Sequence, residues 1–255
     1  MEADEMAPDE EKELQVSFGI FDPRAQDEST IKAILNQGTP KYAAELWRVV
    51  PGLAHLTTIQ SAVGSTIRVT DGEEKDQDVY GFATAISMAA HKDADFVKAA
   101  KALVLEKCPA AEKEDAERIL SGGSFNVGWI VSERIVNIPH ELARPLHRML
   151  LDDVDWARKN PEECGHDEET FDFQYALLLC PSVQVSDDAG KGKKKKIAAF
   201  LRPEEEELVS LAEVTFSFKP EQTEQQEGAQ QGNEDIHVAL VPWEDYARRV
   251  SSWEI

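Results

Sequence analysis

The stretch from Asn126 to Trp156 constrains the fold of this chain more than any other segment of its sequence. Its pattern predicts a buried strand, a short second strand, a turn marked by Pro139 and an amphipathic helix. It contains no pair of nucleophile and base, no metal-ligand spacing and no glycine-rich phosphate loop. A long core segment without catalytic groups favours a binding protein over an enzyme.

Strands and helices are interspersed along the rest of the chain, which predicts an α/β fold with a mixed, mostly antiparallel central sheet flanked by helices on both faces. The 255 residues, 42% of them hydrophobic, suffice for a sizeable core. We expect an acidic disordered tail over 1–12 and a single domain over 13–255. Flexible loops are expected near 71–78, 184–196 and 220–235.

Two local predictions depend on proline. Pro51 and Gly52 predict a turn between helical pieces at 42–47 and 53–63. Pro109 predicts the first turn of a helix that runs to Leu120.

The formal net charge is −22, from 49 acidic and 27 basic residues. A field of this sign repels nucleic acid and anionic membranes and attracts basic proteins. The same charge also keeps a protein soluble, and composition does not separate the two interpretations.

Three widely spaced cysteines, Cys108, Cys164 and Cys180, predict no disulfide framework and fit a reducing compartment. The acidic N-terminal residues differ from a signal or transit peptide. No apolar run approaches the ~20 residues that span a membrane. We therefore expect a soluble protein that is not secreted and has no membrane partner.

Two acidic clusters are candidate sites for binding a basic partner, although each could equally be a solvated surface. The first cluster comprises Asp71, Glu73, Glu74, Asp76 and Asp78, and the second comprises Glu204, Glu205, Glu206 and Glu207.

One basic run is a candidate nuclear-import signal, and the alternative is a solvated loop. It consists of Lys191, Lys193, Lys194, Lys195 and Lys196.

Two further groups are weighed and set aside. Cys164, His166, Asp167 and Glu169 lie close together, but a single Cys-x-His without a second ligand pair is typical of a polar loop and not of a metal site. Ser132-Glu133-Arg134 has no histidine nearby in sequence that could act as a base, so hydrogen-bonding anchors are expected there. No catalytic residue, metal or cofactor is predicted.

Several phrases occur in the order found in the BCCIP family of eukaryotic nuclear proteins, which the chain resembles over most of its length. These phrases are Val63-Gly64-Ser65-Thr66-Ile67, then Val79-Tyr80-Gly81-Phe82, then Ser132 to Pro139, followed by the lysine run and the acidic turn Pro203 to Glu207.

The resemblance implies a sheet like that of GCN-five-related N-acetyltransferases without acetyltransferase activity. Such an enzyme holds the pyrophosphate of acetyl-CoA on a glycine-rich loop that opens a helix after a splayed strand. We place the corresponding loop at 89–95, after the strand that begins at Val79; it has no glycine. Asp93 is expected to cap the following helix, and Asp95 adds a second negative charge.

The resemblance also implies a nuclear escort that shuttles with the cytoplasm and binds a basic large-subunit ribosomal protein of the universal L-fourteen class. Nuclear transport factors are further possible partners, and a monomer is expected apart from the client. One alternative is a multi-partner adaptor in cell-cycle control and DNA repair. Another is a divergent acyl-CoA-dependent acyltransferase, which the missing glycine loop disfavours.

Overall fold

The computed structural model describes residues 16–38, 44–60, 62–70, 78–121, 123–187, 195–220 and 234–254. These residues form one sheet of eight strands. The strands are β1 (Phe18–Phe21), β2 (Gly64–Val69), β3 (Val79–Ser87), β4 (Val127–Arg134), β5 (Tyr175–Asp187), β6 (Lys195–Phe200), β7 (Val214–Phe218) and β8 (Glu234–Pro242).

The spatial order is β1-β2-β3-β4-β5-β8-β7, and β6 pairs with the outer half of β5. Every neighbouring pair is antiparallel except β4 and β5, which run parallel over a short register from Val127–Tyr175 to Trp129–Leu177. The prediction of a mixed, mostly antiparallel sheet is therefore confirmed.

Helices cover both faces of this sheet. On one face lie α1 (Glu28–Gly38), α2 (Ala44–Ile59), α3 (Asp95–Lys107) and α4 (Lys113–Ser121). The parallel connection from β4 to β5 carries α5 (Ala143–Lys159) and the short α6 (Pro161–Cys164). On the other face, α5 packs with α7 (Pro203–Val209) and α8 (Trp243–Ser251). None of the described helices is long and apolar enough to cross a membrane.

The central strands are apolar at nearly every position because both of their faces are buried. In β5, Leu177 and Leu179 contact the core under α1–α4, whereas Leu178 and Cys180 contact the core under α5, α7 and α8. This alternation follows from the two-residue period of a strand. It explains why the continuous apolar run was recognisable as a buried strand.

The predicted turn at Pro51 is wrong. Helix α2 continues through Pro51 and Gly52 to Ile59. A proline inside a helix removes one backbone hydrogen bond and costs about 3 kcal/mol. Val50, Leu53 and Ala54 are nearly inaccessible to solvent in the core, and their burial offsets that cost.

Other boundaries also differ from the prediction. Helix α4 begins at Lys113 instead of Pro109. The loop expected near 184–196 is narrower, because β5 extends to Asp187 and β6 begins at Lys195, where the two strands pair. Residues 234 and 235, expected in a loop, belong to β8. The acidic tail at 1–12 lies outside the described residues, and the single domain over 13–255 stays a prediction.

The Gly128→Ala variant should destabilise the fold by about 1–3 kcal/mol, because its new methyl group would lie 2.9 Å from Cδ2 of Phe173. Phe173 has little room to move, since its ring packs against those of Phe171 and Trp243. Urea unfolding of Gly128→Ala, Phe173→Leu and the double variant measures the coupling. We expect the double variant to lose less stability than the sum of the single variants; strict additivity would contradict the contact.

Candidate functional site

The parallel strands β4 and β5 separate after Trp129 and Leu177 and leave a gap inside the sheet. The Met88 amide donates to the Val127 carbonyl and the Ile135 amide donates to the Tyr80 carbonyl, both across to β3. Since backbone groups alternate in direction along a strand, those of Ser132 must point away from β3, into the gap. In open α/β sheets, a crevice at the ends of parallel strands is a common ligand site.

The side chain of Arg202 occupies this gap. Its Nη1 atom donates to the Ser132 carbonyl oxygen at 2.5 Å and lies 2.7 Å from Oε2 of Glu133. Its Nε atom lies 2.7 Å from Oε1 of Glu205. The recess beside these groups has a volume of about 30 Å³, room for one or two water molecules. Glu133, through its side chain, and Ser132, through its backbone carbonyl oxygen, are thus anchors of the expected kind.

A second arginine extends the buried network. Arg134 donates from both terminal nitrogens to the carboxylate of Glu204, with Nη2 3.1 Å from Oε2. Among the described residues, the network contains two guanidinium groups and three carboxyl groups, from Glu133, Glu204 and Glu205, which together hold one negative charge in excess when all are ionised.

Glu205 is the carboxyl group that keeps its proton and so removes the excess negative charge. Burial opposes the ionisation of Glu204, but hydrogen bonds and charge from Arg134 outweigh it and lower the pKa of Glu204. Burial raises the pKa of Glu205 to about 8; attraction by Arg202 opposes this rise, and repulsion by Glu204 and Glu133 adds to it. The carboxyl of Glu205 is thus mostly protonated at neutral pH, which leaves the network electrically balanced.

The acidic turn at 204–207 consequently differs from its prediction as a partner-binding surface. Glu204 and Glu205 are buried and paired with arginines, so they do not face an incoming protein. Glu207 accepts a hydrogen bond from Trp253 Nε1 at 2.8 Å and lies 3.5 Å from Arg144 and Arg249. Of this cluster only Glu206 is exposed.

Beside this network, α5 and α8 are joined by a buried pair. His147 Nδ1 and Tyr246 Oη lie 2.9 Å apart, and burial lowers the pKa of His147 to about 4. Burial also raises the pKa of Tyr246. Both groups are therefore neutral at physiological pH, and the pair is suited to holding helices together.

The other predicted site residues lie elsewhere or outside the described part of the chain. Asp71, Glu73, Glu74, Asp76, Lys191, Lys193 and Lys194 fall outside the described residues. Asp78 is exposed just before β3. Lys195 and Lys196 form the start of β6 and pair with Asp187 and Ser186 of β5.

The loop assigned to the cofactor of an acetyltransferase needs a correction. Strand β3 pairs with β4 along its length, so the strand that splays is β4. The loop that follows β4, from Ile135 to Leu142, also has no glycine. Nor does Asp93 cap α3, whose N-cap is Ala94. Because Arg202 and Glu205 also fill the gap, the residues present do not fit a pyrophosphate-bearing cofactor.

A large recess lies at the opposite end of β4. This recess, the acidic cavity, has a volume of about 830 Å³ and opens between the end of β3, the start of β4 and the loop before β5. Its charged lining consists of Asp167, Glu168, Glu169 and Asp172, all exposed. Asp172 lies 3.5 Å from Arg158, whereas the other three have no cationic group within 4 Å among the described residues.

Asn126 holds the walls of the acidic cavity together. Its side-chain amide donates to the carbonyl oxygens of Glu169 and Thr170, at 2.9 and 3.0 Å, and its Oδ1 accepts from the Ser87 hydroxyl at 3.0 Å. Its backbone amide donates to Gln174 Oε1 at 2.7 Å. The carboxylates thus stand on a hydrogen-bonded frame that joins β3, β4 and the acidic loop.

Sequence reasoning weighed this loop only as a metal site. No group of three or more metal-ligating side chains occurs in the part of the chain that the structure describes. The run Asp167-Glu168-Glu169 was itself a signal for a partner-binding surface, but the neighbouring Cys164 and His166 directed attention to metal chemistry.

The BCCIP family model matches residues 13–226 of this chain, which is most of its length. The chain belongs to the BCCIP family. It is 28% identical over 218 residues to the Protein BCCIP homolog of Arabidopsis thaliana, covering 82% of this chain and 64% of that relative. It is 26% identical over 227 residues to the mouse BRCA2 and CDKN1A-interacting protein, covering 81% of this chain and 67% of that relative.

The fold agrees with a solved structure. The crystal structure of BCP1 from Saccharomyces cerevisiae aligns with a TM-score of 0.66 at 19% identity, covering 98% of this chain and 94% of that one. This BCCIP-family chain spans about two thirds of the length of the plant and mouse relatives. Those relatives are named as an interacting protein or a homologue and not as enzymes.

The Glu205→Gln variant, which mimics the protonated carboxyl, should remove most of a pH dependence of folding. The pKa of Glu205 is about 8 in the folded protein and about 4.5 in the unfolded chain. The contribution of the protonated carboxyl to the free energy of unfolding should therefore be greatest below about pH 4.5 and be lost as the pH rises through about 8. We expect a fall on the order of 3 kcal/mol. Glu204→Gln is the matched variant, and should cost about 3 kcal/mol at neutral pH by leaving Arg134 without a charged partner.

Urea unfolding from pH 5 to pH 9 measures both effects. If the free energy of unfolding depends on pH in the same way for wild type and Glu205→Gln, the pKa of Glu205 is not raised by folding.

Proposed function

We propose that this chain is a non-enzymatic nuclear chaperone that binds a basic large-subunit ribosomal protein of the universal L-fourteen class. The acidic cavity is the observation that carries the proposal, because its Asp167, Glu168 and Glu169 are exposed, stand on a fixed frame and have no cationic group within 4 Å among the described residues. It would shield the RNA-binding surface of a newly made client, support ribosome biogenesis and accompany the client between cytoplasm and nucleus.

Electrostatics supplies the mechanism. The net charge of −22 accelerates encounter with a cationic client, and Asp167, Glu168 and Glu169 then pair with its lysines and arginines. Solvent-exposed charges are screened by salt over about 8 Å at physiological ionic strength. Association should therefore slow steeply as salt is added.

The scaffold, in this proposal, is an acetyltransferase-like sheet whose cofactor gap is occupied by its own side chains. Arg202 hydrogen-bonds the edge of β4 that an acyl-CoA would otherwise contact. Titration calorimetry with acetyl-CoA should then give no binding heat.

A second candidate function is that of an adaptor for several proteins in cell-cycle control and DNA repair. The name of the mouse relative, BRCA2 and CDKN1A-interacting protein, favours it. Gel filtration after co-expression with the L-fourteen-class protein separates the two functions. Co-elution with rescue of client solubility supports the chaperone, and clean separation with insoluble client supports the adaptor.

Neutralising the acidic cavity should slow binding of the client. In the triple variant Asp167→Asn/Glu168→Gln/Glu169→Gln, we expect the association rate at low salt to fall about tenfold and to depend less on salt. Stopped-flow mixing with the purified client measures both quantities.

The matched control removes the same charge from three separated exposed positions, in Glu141→Gln/Asp152→Asn/Glu244→Gln. It should retain most of the wild-type rate. Equal losses in both variants would assign the effect to net charge and not to the acidic cavity.

Nuclear entry should depend on the lysine run. Replacement of Lys191, Lys193, Lys194, Lys195 and Lys196 by glutamine should lower the nuclear fraction of a fluorescent fusion, because import receptors bind clustered cations. The control replaces five exposed cationic residues elsewhere, namely Lys32, Arg158, Lys159, Lys219 and Arg248. An unchanged nuclear fraction in the first variant would refute this assignment.

A further inference from the structure

A second recess lies next to the acidic cavity but carries the opposite charge. This lysine groove has a volume of about 380 Å³ and lies between α3, the end of α4 and the start of β4. Its apolar lining comprises Met88, Val97, Leu120, Phe125 and Val127. Such a volume accommodates one or two large apolar side chains.

Three lysines line the same groove: Lys92, Lys98 and Lys101. None has a carboxylate within 4 Å in the described part of the chain. By contrast, the neighbouring Lys107 and Lys113 lie 3.1 Å from Glu106 and 3.9 Å from Glu117. Three cations that line one recess beside an apolar surface, in a chain with 49 acidic residues, fit an anionic ligand with an apolar part.

The arrangement of charges favours a peptide over a phosphate or lipid headgroup. A single phosphate is held by converging donors, often at a helix N-terminus. Lys98 and Lys101 stand three residues apart on α3, hence about 5–6 Å between Cβ atoms. That spacing suits carboxylates on alternate residues of an extended chain, about 7 Å apart.

We propose that the lysine groove binds an acidic segment of a partner protein through an apolar anchor residue flanked by Asp or Glu. The anchor lies against Leu120 and Phe125, the partly exposed members of the apolar lining, and the flanking carboxylates pair with the three lysines. The opposite charge of the two recesses makes this partner a different one from the basic client, so the inference goes beyond the proposed function and does not depend on it.

Fluorescence anisotropy with a labelled synthetic peptide tests the proposal. The probe has a central Leu-Phe pair flanked on both sides by Asp and Glu, and a second peptide replaces Leu-Phe by Ser-Ser. Lys98→Glu/Lys101→Glu should weaken binding of the first peptide at least about tenfold, because like charges then face it. Lys98→Arg/Lys101→Arg should bind nearly as well as wild type.

The control Lys32→Glu/Lys159→Glu reverses two exposed lysines far from the groove in sequence and should leave affinity nearly unchanged. The proposal is overturned if wild type fails to bind the first peptide below about 1 mM, or if both charge reversals weaken binding equally. It is also overturned if the Ser-Ser peptide binds with the same affinity as the Leu-Phe peptide. A further contrary result is that vesicles containing phosphatidylserine bind and that Lys98→Glu/Lys101→Glu weakens binding of the vesicles but not of the peptide. The acidic-cavity triple variant should bind the peptide at least as well as wild type, so the failure of one proposal is distinguishable from failure of the other.

Discussion

The insertion of Arg202 between β4 and β5 is the interaction on which the rest of this structure depends. Two parallel strands that separate leave backbone groups and side chains without partners, and an open gap in the centre of a sheet would admit water. Arg202 donates to the Ser132 carbonyl, Glu133 balances its charge, and the mostly protonated carboxyl of Glu205 lies beside its Nε atom. The same contact anchors α7, which packs against α8 and the outer part of the sheet.

This closure fills a crevice of the kind that binds ligands in many open α/β sheets. A protein can keep a sheet with a parallel crossover while its own side chains occupy the crevice, and fold alone then says little about function. Two recesses open to solvent around the other end of β4. There an acidic cavity and a lysine groove share Ala89, Gly123 and Phe125 as a common ridge. Two recesses of opposite charge beside one ridge fit a protein that binds other proteins.

The sequence was informative where one local pattern decided the outcome. The apolar runs of β3 and β5 and the amphipathic face of α5 could be read directly, because burial on one or both faces sets their periodicity. The turn predicted at Pro51 was wrong because the tertiary packing of α2 outweighs the cost of a proline inside a helix. The prediction that Glu204 and Glu205 face a partner was wrong because the sequence does not show their network of buried arginines. Arg134, which pairs with Glu204, lies 70 residues away from it in sequence. Composition cannot show that an acidic run faces two buried arginines.

The distance in sequence between Arg202 and Ser132, also 70 residues, has a consequence for synthesis. Strand β4 leaves the ribosome well before Arg202 and α7, so its inner edge has no intramolecular cover until the chain has extended past β6. An uncovered strand edge is a template for pairing with other chains. During that interval the inner edge of β4 is open to pairing with other chains, and its closure has to wait until Arg202 has been synthesised.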